Sequence, residues 1–288
     1  MDILYHYCST ASFHAIIQSH ALWLSSLSLS NDTMEGKLVA STIARLAERD
    51  SIDQYSVRRI QDALGIFEEI FDGLGFCLSE DGDLLSQWRG FAANATGVSI
   101  GFSTEYLNWL SEASASHDRS GFTLKKIEYE PSVHESCVDP VYLKIKDSMA
   151  AGAFKTLGRR SLLFDSRTDE EIQCDDSSIR SAHSKLFEDT LQLLPELFRL
   201  KAHAFREERE WRALSYLVKG GEDDCSHRVV HDRVIPYRKI ELIEFERHPI
   251  VEVILGPKHG TPTKVVEDFL KKQGYGVVSI KSSVASYR

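Results

Sequence analysis

Glu208 and Glu210 are the residues of this chain best suited to do chemistry, because they stand directly before an apolar segment. They lie in "HAFREEREWRALSY", which runs from His203 to Tyr216 and ends in residues typical of a buried strand. In an extended chain Glu208, Glu210 and Arg212 share one face, so both carboxylates would stand at the mouth of the core. There, burial and the arginine have opposite effects on the carboxylate charge. The alternative is that residues 205–210 form the last turn of a helix, with surface ion pairs worth about 0–1 kcal/mol each.

Two further polar clusters follow predicted strands. The first, "SLSNDTMEG", contains Asn31 and Asp32, which favour turns through bonds to their own backbone. It is either a polar loop at the mouth of a pocket or an ordinary turn. The second, "FCLSEDGDLLSQWRGFA", contains Ser79, Trp88 and Arg89, and a tryptophan beside an arginine suits a nucleotide through stacking and phosphate binding. The alternative is a core tryptophan next to a surface arginine.

Metal chemistry has little support in the sequence. His227 and His231 in "HRVVH" have the spacing of a helical metal-binding pair, but the β-branched residues between them predict a strand. No carboxylate partner stands out for them. No metal site is therefore predicted here.

Composition and charge restrict the class of protein. The 288 residues carry a net charge of −9, which argues against a general binder of duplex DNA. The five cysteines are far apart and form no CxxC pair, which indicates free thiols in a reducing compartment. The first residues do not form a signal peptide, and no apolar run approaches a membrane span. These features predict a cytoplasmic protein with no membrane partner.

The pattern of elements predicts an α+β fold. Short apolar strands such as "ILYHYCS", "GLGFCLSE" and "VEVILGP" alternate with amphipathic helices. We expect a single domain spanning residues 1–288, with a mixed or antiparallel central sheet flanked by helices. The stretch "FDSRTDEEIQCDDSS" predicts an acidic, mobile loop near residues 164–180.

The order of several motifs resembles that of a known bacterial family. The segments "LWLSSLSLSNDTMEG", "FCLSEDGDLLSQWRGFAANATGVSIGF", "FREEREWRAL" and "VEVILGP" follow one another as in the family catalogued as domain of unknown function 2971. The resemblance covers nearly the whole chain. The family name carries no activity.

The opening strand, capped helix and "LWLSS" also resemble the start of ADP-ribosyltransferases, especially toxin-like enzymes that modify nucleic acid. That resemblance implies an ADP-ribosyltransferase-like fold with NAD as the substrate. His6 would hold the NAD ribose, Tyr7 or Trp88 would stack on nicotinamide, and Glu210 or Glu208 would be catalytic. The remaining residues of the implied cofactor site are Asn31, Asp32, Ser79, Arg89 and Arg212, with either arginine on the pyrophosphate.

Such an activity would explain the position of the glutamates. Cleavage of the nicotinamide–ribose bond passes through an oxocarbenium-like state. A fixed carboxylate stabilises this state and thereby raises the reaction rate by about 10²–10³. The first functional hypothesis is thus an NAD-dependent ADP-ribosyltransferase or NAD glycohydrolase, a toxin or anti-phage effector with a nucleic-acid or protein acceptor. The second is a metal-dependent nuclease using Asp32, Glu35, Glu208 and Glu210. The third is a non-catalytic sensor or interaction domain in which these charges form a buried ion-pair network.

Overall fold

The computed structural model describes residues 2–29, 36–115, 121–155, 167–221, 225–230 and 232–286. The strands are β1 (Ile3–Cys8), β2 (Ala21–Ser26), β3 (Phe71–Ser79), β4 (Val98–Ser103), β5 (Thr123–Lys126), β6 (Glu210–Val218), β7 (Ser226–Val230), β8 (Arg233–Glu241), β9 (Ile250–Leu255) and β10 (Ser279–Ser282). The α-helices are α1 (Thr10–Ser19), α2 (Lys37–Arg49), α3 (Gln54–Ile70), α4 (Leu85–Gly90), α5 (Thr104–Ala115), α6 (Pro131–Ala150), α7 (Asp169–Leu191), α8 (Leu194–Leu197) and α9 (Thr263–Lys272).

The chain divides into two compact units. The sheet unit comprises Met1–Asn31, Asp72–Ile127 and Ala204–Arg288, and the helical unit comprises Asp32–Phe71 and Glu128–His203. The prediction of one domain over residues 1–288 is not tested by this division and stays a prediction.

The sheet unit is built on one mixed sheet. Its strand order is β10-β9-β4-β1-β3-β2-β8-β7, and β6 pairs with both β3 and β5. The pair β9–β10 is parallel, whereas β1–β4, β2–β8 and β7–β8 are antiparallel. Helices α1, α5 and α9 pack against strands of this sheet. The predicted α+β class, with a mixed central sheet flanked by helices, is confirmed.

Apolar clusters of described residues stabilise the sheet unit. The main core takes alternate residues of the strands, including Leu4 and Cys8 of β1 and Phe76 of β3. A smaller cluster contains Tyr7 and Trp88. Because strand side chains alternate between faces, Tyr7 lies on the opposite face of β1 from Leu4 and Cys8.

Helix α1 shows how local sequence sets the ends of an element. The Ser9 side chain accepts a hydrogen bond from the amide of Ser12 at 3.1 Å, which caps the helix start. His20 ends the helix in the left-handed conformation, with φ of 50°. The helix therefore turns directly into β2.

The helical unit packs α2 and α6 against each other, α6 against α7, and α3 against α7. Asp50 at the end of α2 binds Lys146 of α6 at 2.5 Å and Arg49 at 2.9 Å. The hydrogen bond from Lys146, followed by that from Arg49, lowers the pKa of Asp50 to about 2. This carboxylate joins two helices of the unit.

The predicted acidic loop near residues 164–180 is wrong from Asp169 onward, where α7 begins. Thr168 and Glu171 form a reciprocal capping box, with the Thr168 amide donating to Glu171 at 2.7 Å. Three acidic residues occupy the first helical turn, where the helix dipole favours negative charge. The acidity of this stretch therefore marks a helix start, while residues 164–166 lie outside the described part of the chain.

Candidate functional site

Glu210 and Arg212 form a buried ion pair at the start of β6. Arg212 Nε donates to Glu210 Oε1 at 2.6 Å, and Arg212 Nη2 donates to Oε2 at 3.1 Å. The exposed fraction is 5% for Glu210 and 2% for Arg212. The residues are two positions apart on one strand, so their side chains share a face. The interaction of a guanidinium with both oxygens of one carboxylate is stronger and more directional than a single hydrogen bond between neutral groups.

Glu208 does not share this face, because the chain before Glu210 is not extended. His203–Glu208 is a 3-10 helix, and Arg209 has a positive φ of 42°. Ser79 Oγ donates to the carbonyl of Glu208 at 2.7 Å, and the amide of Glu80 donates to the carbonyl of Arg209 at 3.2 Å. The extended interpretation of this stretch therefore holds only from Glu210, and the two glutamates are not neighbours on one strand.

The other face of β6 carries a partly exposed group of charges around Trp211. Trp211 Nε1 donates to Glu80 Oε1 at 2.9 Å, and Lys126 Nζ lies 2.7 Å from the same oxygen. Burial alone would raise the pKa of Glu80, but the hydrogen bonds from Lys126 and Trp211 outweigh burial and lower it. The tryptophan of "EREWR" thus ties β6 to the end of β3.

His6 is held in one tautomer on β1. Its ring stacks on Phe76 with centroids 3.9 Å apart, and Nδ1 lies 2.8 Å from the carbonyl oxygen of Cys77. A carbonyl can only accept, so Nδ1 carries the proton and Nε2 is an acceptor. The imidazole keeps some accessible surface, but desolvation by the surrounding residues lowers its pKa to about 4. His6 is therefore neutral near pH 7, and within the described residues Nε2 has no hydrogen bond.

Tyr7 and Trp88 are occupied by contacts within the protein. Tyr7 OH donates to the carbonyl of Asp81 at 2.8 Å and accepts from the amide of Leu84 at 2.8 Å. Trp88 is fully buried, and its Nε1 donates to Asp83 Oδ1 at 2.6 Å. The two rings meet edge to face with centroids 4.9 Å apart. Of the two interpretations of Trp88, the core tryptophan is the one observed.

The remaining predicted site residues are not brought together in the described part. Arg89 is exposed on α4. Asn31 and Asp32 lie outside the described residues, as do Glu35 and His231. Across the described ranges, no group of three or more histidine, cysteine or acidic side chains is placed to hold a metal ion.

An open hollow of about 620 Å³ lies in the helical unit, and the described residues that line it fall within 44–61, including Glu48 and Arg58. No predicted site residue within the described ranges lines it. Among the described helices, none combines the length and apolar composition that a membrane crossing requires. All five cysteines have free thiols, as predicted.

Sequence reasoning missed two groups of residues. Asp83 accepts from the Trp88 indole, from Ser283 Oγ and from the amide of Val284 at 2.8 Å, so it anchors the C-terminal segment. In the sequence, "DGD" indicates only a turn. Arg228 and Trp23 also meet, although they are far apart in the chain and no local pattern joins them.

The comparisons with known proteins identify one family. The model of the family described as "Protein of unknown function (DUF2971)" matches residues 87–213, just under half of the chain. No curated protein and no solved structure matches. The match includes Trp88, Glu208, Glu210 and Arg212 but not His6, and it is shorter than the nearly full-length resemblance expected from the motifs. Over residues 87–213 the chain is thus similar to this family, whose description states no activity.

Proposed function

We propose that this protein is a non-catalytic binding domain, of the sensor or interaction type, in which Glu210 and Arg212 stabilise the sheet. The observation that carries the proposal is the buried two-bond ion pair between these residues, at 2.6 and 3.1 Å. A catalytic carboxylate must reach its substrate, whereas Glu210 is only 5% exposed and has an arginine on both oxygens.

The energetics of buried charge support the same role. Removing one partner of a buried ion pair leaves an uncompensated charge and costs about 3–5 kcal/mol, whereas the intact pair gives little net stability. Because the net gain is small, we propose that this pair acts mainly by selecting one conformation of the chain. Here the pair lies where the 3-10 helix turns into β6, so we propose that it sets the point at which the strand begins.

Other residues assigned to NAD support this proposal through their internal contacts. Tyr7 OH is bound to two backbone groups, Ser79 Oγ to the carbonyl of Glu208, and the Trp88 indole to Asp83. Binding NAD at these atoms would require breaking hydrogen bonds that hold loops of the sheet unit. The cost of a buried polar group left unpaired is about 1–3 kcal/mol each.

The test is NAD turnover by the purified protein, with and without cellular protein, RNA and DNA, beside Glu210→Gln and its matched control Glu207→Gln. Glu207 is exposed and three positions away, so its variant controls for charge alone. We expect no nicotinamide release from any of the three proteins. We also expect a lower Tm for Glu210→Gln and an unchanged Tm for Glu207→Gln. Nicotinamide release that is lost only in Glu210→Gln, at an unchanged Tm, would contradict the proposal.

A second candidate function is the NAD-dependent ADP-ribosyltransferase or NAD glycohydrolase, and His6 is the observation that favours it. A neutral imidazole with Nδ1 fixed on Cys77 offers Nε2 as an acceptor for a ribose hydroxyl. A toxin or anti-phage role, with a nucleic-acid or protein acceptor, depends on this candidate.

Thermal denaturation with NAD separates the two functions. Under the second candidate, millimolar NAD raises the Tm of the natural protein and not that of His6→Asn, whose side-chain amide can still donate to the Cys77 carbonyl. Under the first, His6 takes no part in binding, so any change of Tm that NAD causes is the same in the natural protein and in His6→Asn.

A further inference from the structure

Trp23 and Ser25 of β2 meet Arg228 of β7 on one face of the sheet unit. Strand β8 lies between β2 and β7, with Ser25 opposite Tyr237 on one side and Arg228 opposite Ile235 on the other. The Arg228 guanidinium lies 5.5 Å from the centroid of the Trp23 ring, and its Nη2 donates to Ser25 Oγ at 2.8 Å. Arginine, indole and hydroxyl thus form one cluster across three strands.

Two hydrogen-bond donors of this cluster are buried and unused. Arg228 Nε and Trp23 Nε1 have no hydrogen-bond partner among the described residues. Both groups are donors only. Each buried donor without an acceptor costs about 1–3 kcal/mol. The two N–H atoms are themselves covered, but Trp23 and Arg228 each keep part of their surface accessible.

The charge of Arg228 is also not compensated within the described residues. No carboxylate of the described ranges forms an ion pair with Arg228, unlike Arg212, Arg199 or Arg49. Burial lowers the pKa of Arg228, because desolvation disfavours the charged form of the guanidinium. Ser25 Oγ accepts from Arg228 and donates to the carbonyl of Trp23 at 3.3 Å, so the hydroxyl orients the guanidinium without neutralising it.

We infer that Trp23, Ser25 and Arg228 form a binding site for an oxyanion, the carboxylate or phosphate group of a small ligand. An oxyanion has several acceptor atoms and a negative charge, and a guanidinium binds such groups through parallel N–H bonds. One oxygen would accept from Arg228 Nε and another from Trp23 Nε1. The adjacent Tyr237 ring, 5.2 Å from the Trp23 ring, adds an aromatic surface for the rest of the ligand.

This site is separate from the Glu210–Arg212 pair and goes beyond the proposed function by assigning a ligand class. The absence of NAD turnover would leave the oxyanion site intact. Conversely, a failure of oxyanion binding would leave the structural role of Glu210 untouched.

The experiment is an NMR titration that observes the indole N–H signals of the four tryptophans. Inorganic phosphate and, in a separate titration, acetate replace chloride step by step, so that the ionic strength stays constant. Trp23→Phe assigns the Trp23 signal. We expect that signal to move with saturation at millimolar anion, while the signals of Trp88, Trp109 and Trp211 stay in place. The anion that saturates at the lower concentration distinguishes a phosphate from a carboxylate ligand.

Matched variants show whether Arg228 is responsible. Arg228→Met should weaken the apparent affinity at least tenfold, whereas Arg233→Met, which removes an exposed arginine of the same hairpin, should not change it. Arg228→Lys keeps the charge but not the planar fork and should give an intermediate affinity. If Arg228→Met does not fold, the titration of the natural protein still decides. A Trp23 signal that does not saturate with either anion, or that moves equally in a folded Arg228→Met variant, would overturn the inference.

Discussion

His6 and Glu210 project from opposite faces of the central sheet. His6 shares one face of β1 with Leu4 and Cys8, which belong to the main apolar core. Glu210 is three positions from Ala213, which belongs to the same core, so strand alternation directs Glu210 away from it. The contacts agree, since His6 binds residues of β3 while Glu210 binds its neighbour on β6. The two residues that an NAD site would need together therefore have separate surroundings.

His6 should make the protein sensitive to mild acid. Its pKa is lowered from 6.5 to about 4 by desolvation, so the unfolded chain takes up the proton first as the pH falls. The stabilisation is complete above pH 6.5 and is lost as the pH falls from 6.5 to about 4. The full effect is about 3 kcal/mol, at about 1.4 kcal/mol per pH unit.

Urea unfolding at pH 7, 5.5 and 4.5 measures this loss. The His6→Asn variant should lose much less free energy of unfolding over the same range. An equal loss in both proteins would show that other groups cause the acid sensitivity.

Asp83 should fix the C-terminal segment to the sheet unit. Asp83→Ala removes the acceptor for the Trp88 indole, for Ser283 Oγ and for the Val284 amide, and we expect a loss of about 2 kcal/mol. Ser283→Ala keeps the indole bond and should cost less. Hydrogen exchange at the Val284 amide should become faster in Asp83→Ala. If exchange and stability match those of Ser283→Ala, the bonds from Trp88 and from the Val284 amide contribute nothing.

Replacement by alanine should lower the stability of the protein at one glycine and raise it at another. A Cβ at Gly97 would overlap the backbone carbonyl oxygen of Cys8. Gly97→Ala therefore pushes β4 away from β1 and should lower the free energy of unfolding by about 3 kcal/mol. Gly65 lies inside α3, and a Cβ at this position would meet no other atom within 4 Å, so Gly65→Ala should stabilise the helix by about 1 kcal/mol. Thermal denaturation of both variants measures the difference, and equal Tm values would contradict it.

The sequence alone predicts the sheet and the shared face of Glu210 and Arg212, but it does not predict the position of Glu208. Period-two alternation predicts that Glu210 and Arg212 share a face, and their contact confirms it. It fails for Glu208, because the positive φ of Arg209 ends the extended chain and no pattern in "FREER" announces that turn. Local patterns describe strands well and the points where they begin poorly.

Contacts between distant strands are outside the reach of local patterns. Arg228 meets Trp23 only because β8 pairs with both β2 and β7, a pairing that the sequence does not encode at short range. Asp83 likewise gains its role from a C-terminal segment about two hundred residues later. The acidic stretch at the start of α7 escapes prediction for a different reason, since the same residues suit a solvated loop and a helix start.

The central claim is that Glu210 and Arg212 act as a structural pair, and a double-mutant cycle tests it most directly. The free energy of unfolding in urea is measured for the natural protein, Glu210→Leu, Arg212→Met and the double variant. We expect each single variant to lose about 3 kcal/mol, because each breaks both hydrogen bonds of the buried pair. The double variant should lose clearly less than the sum of the two. Single variants within about 0.5 kcal/mol of the natural protein, or losses that simply add, would contradict the account.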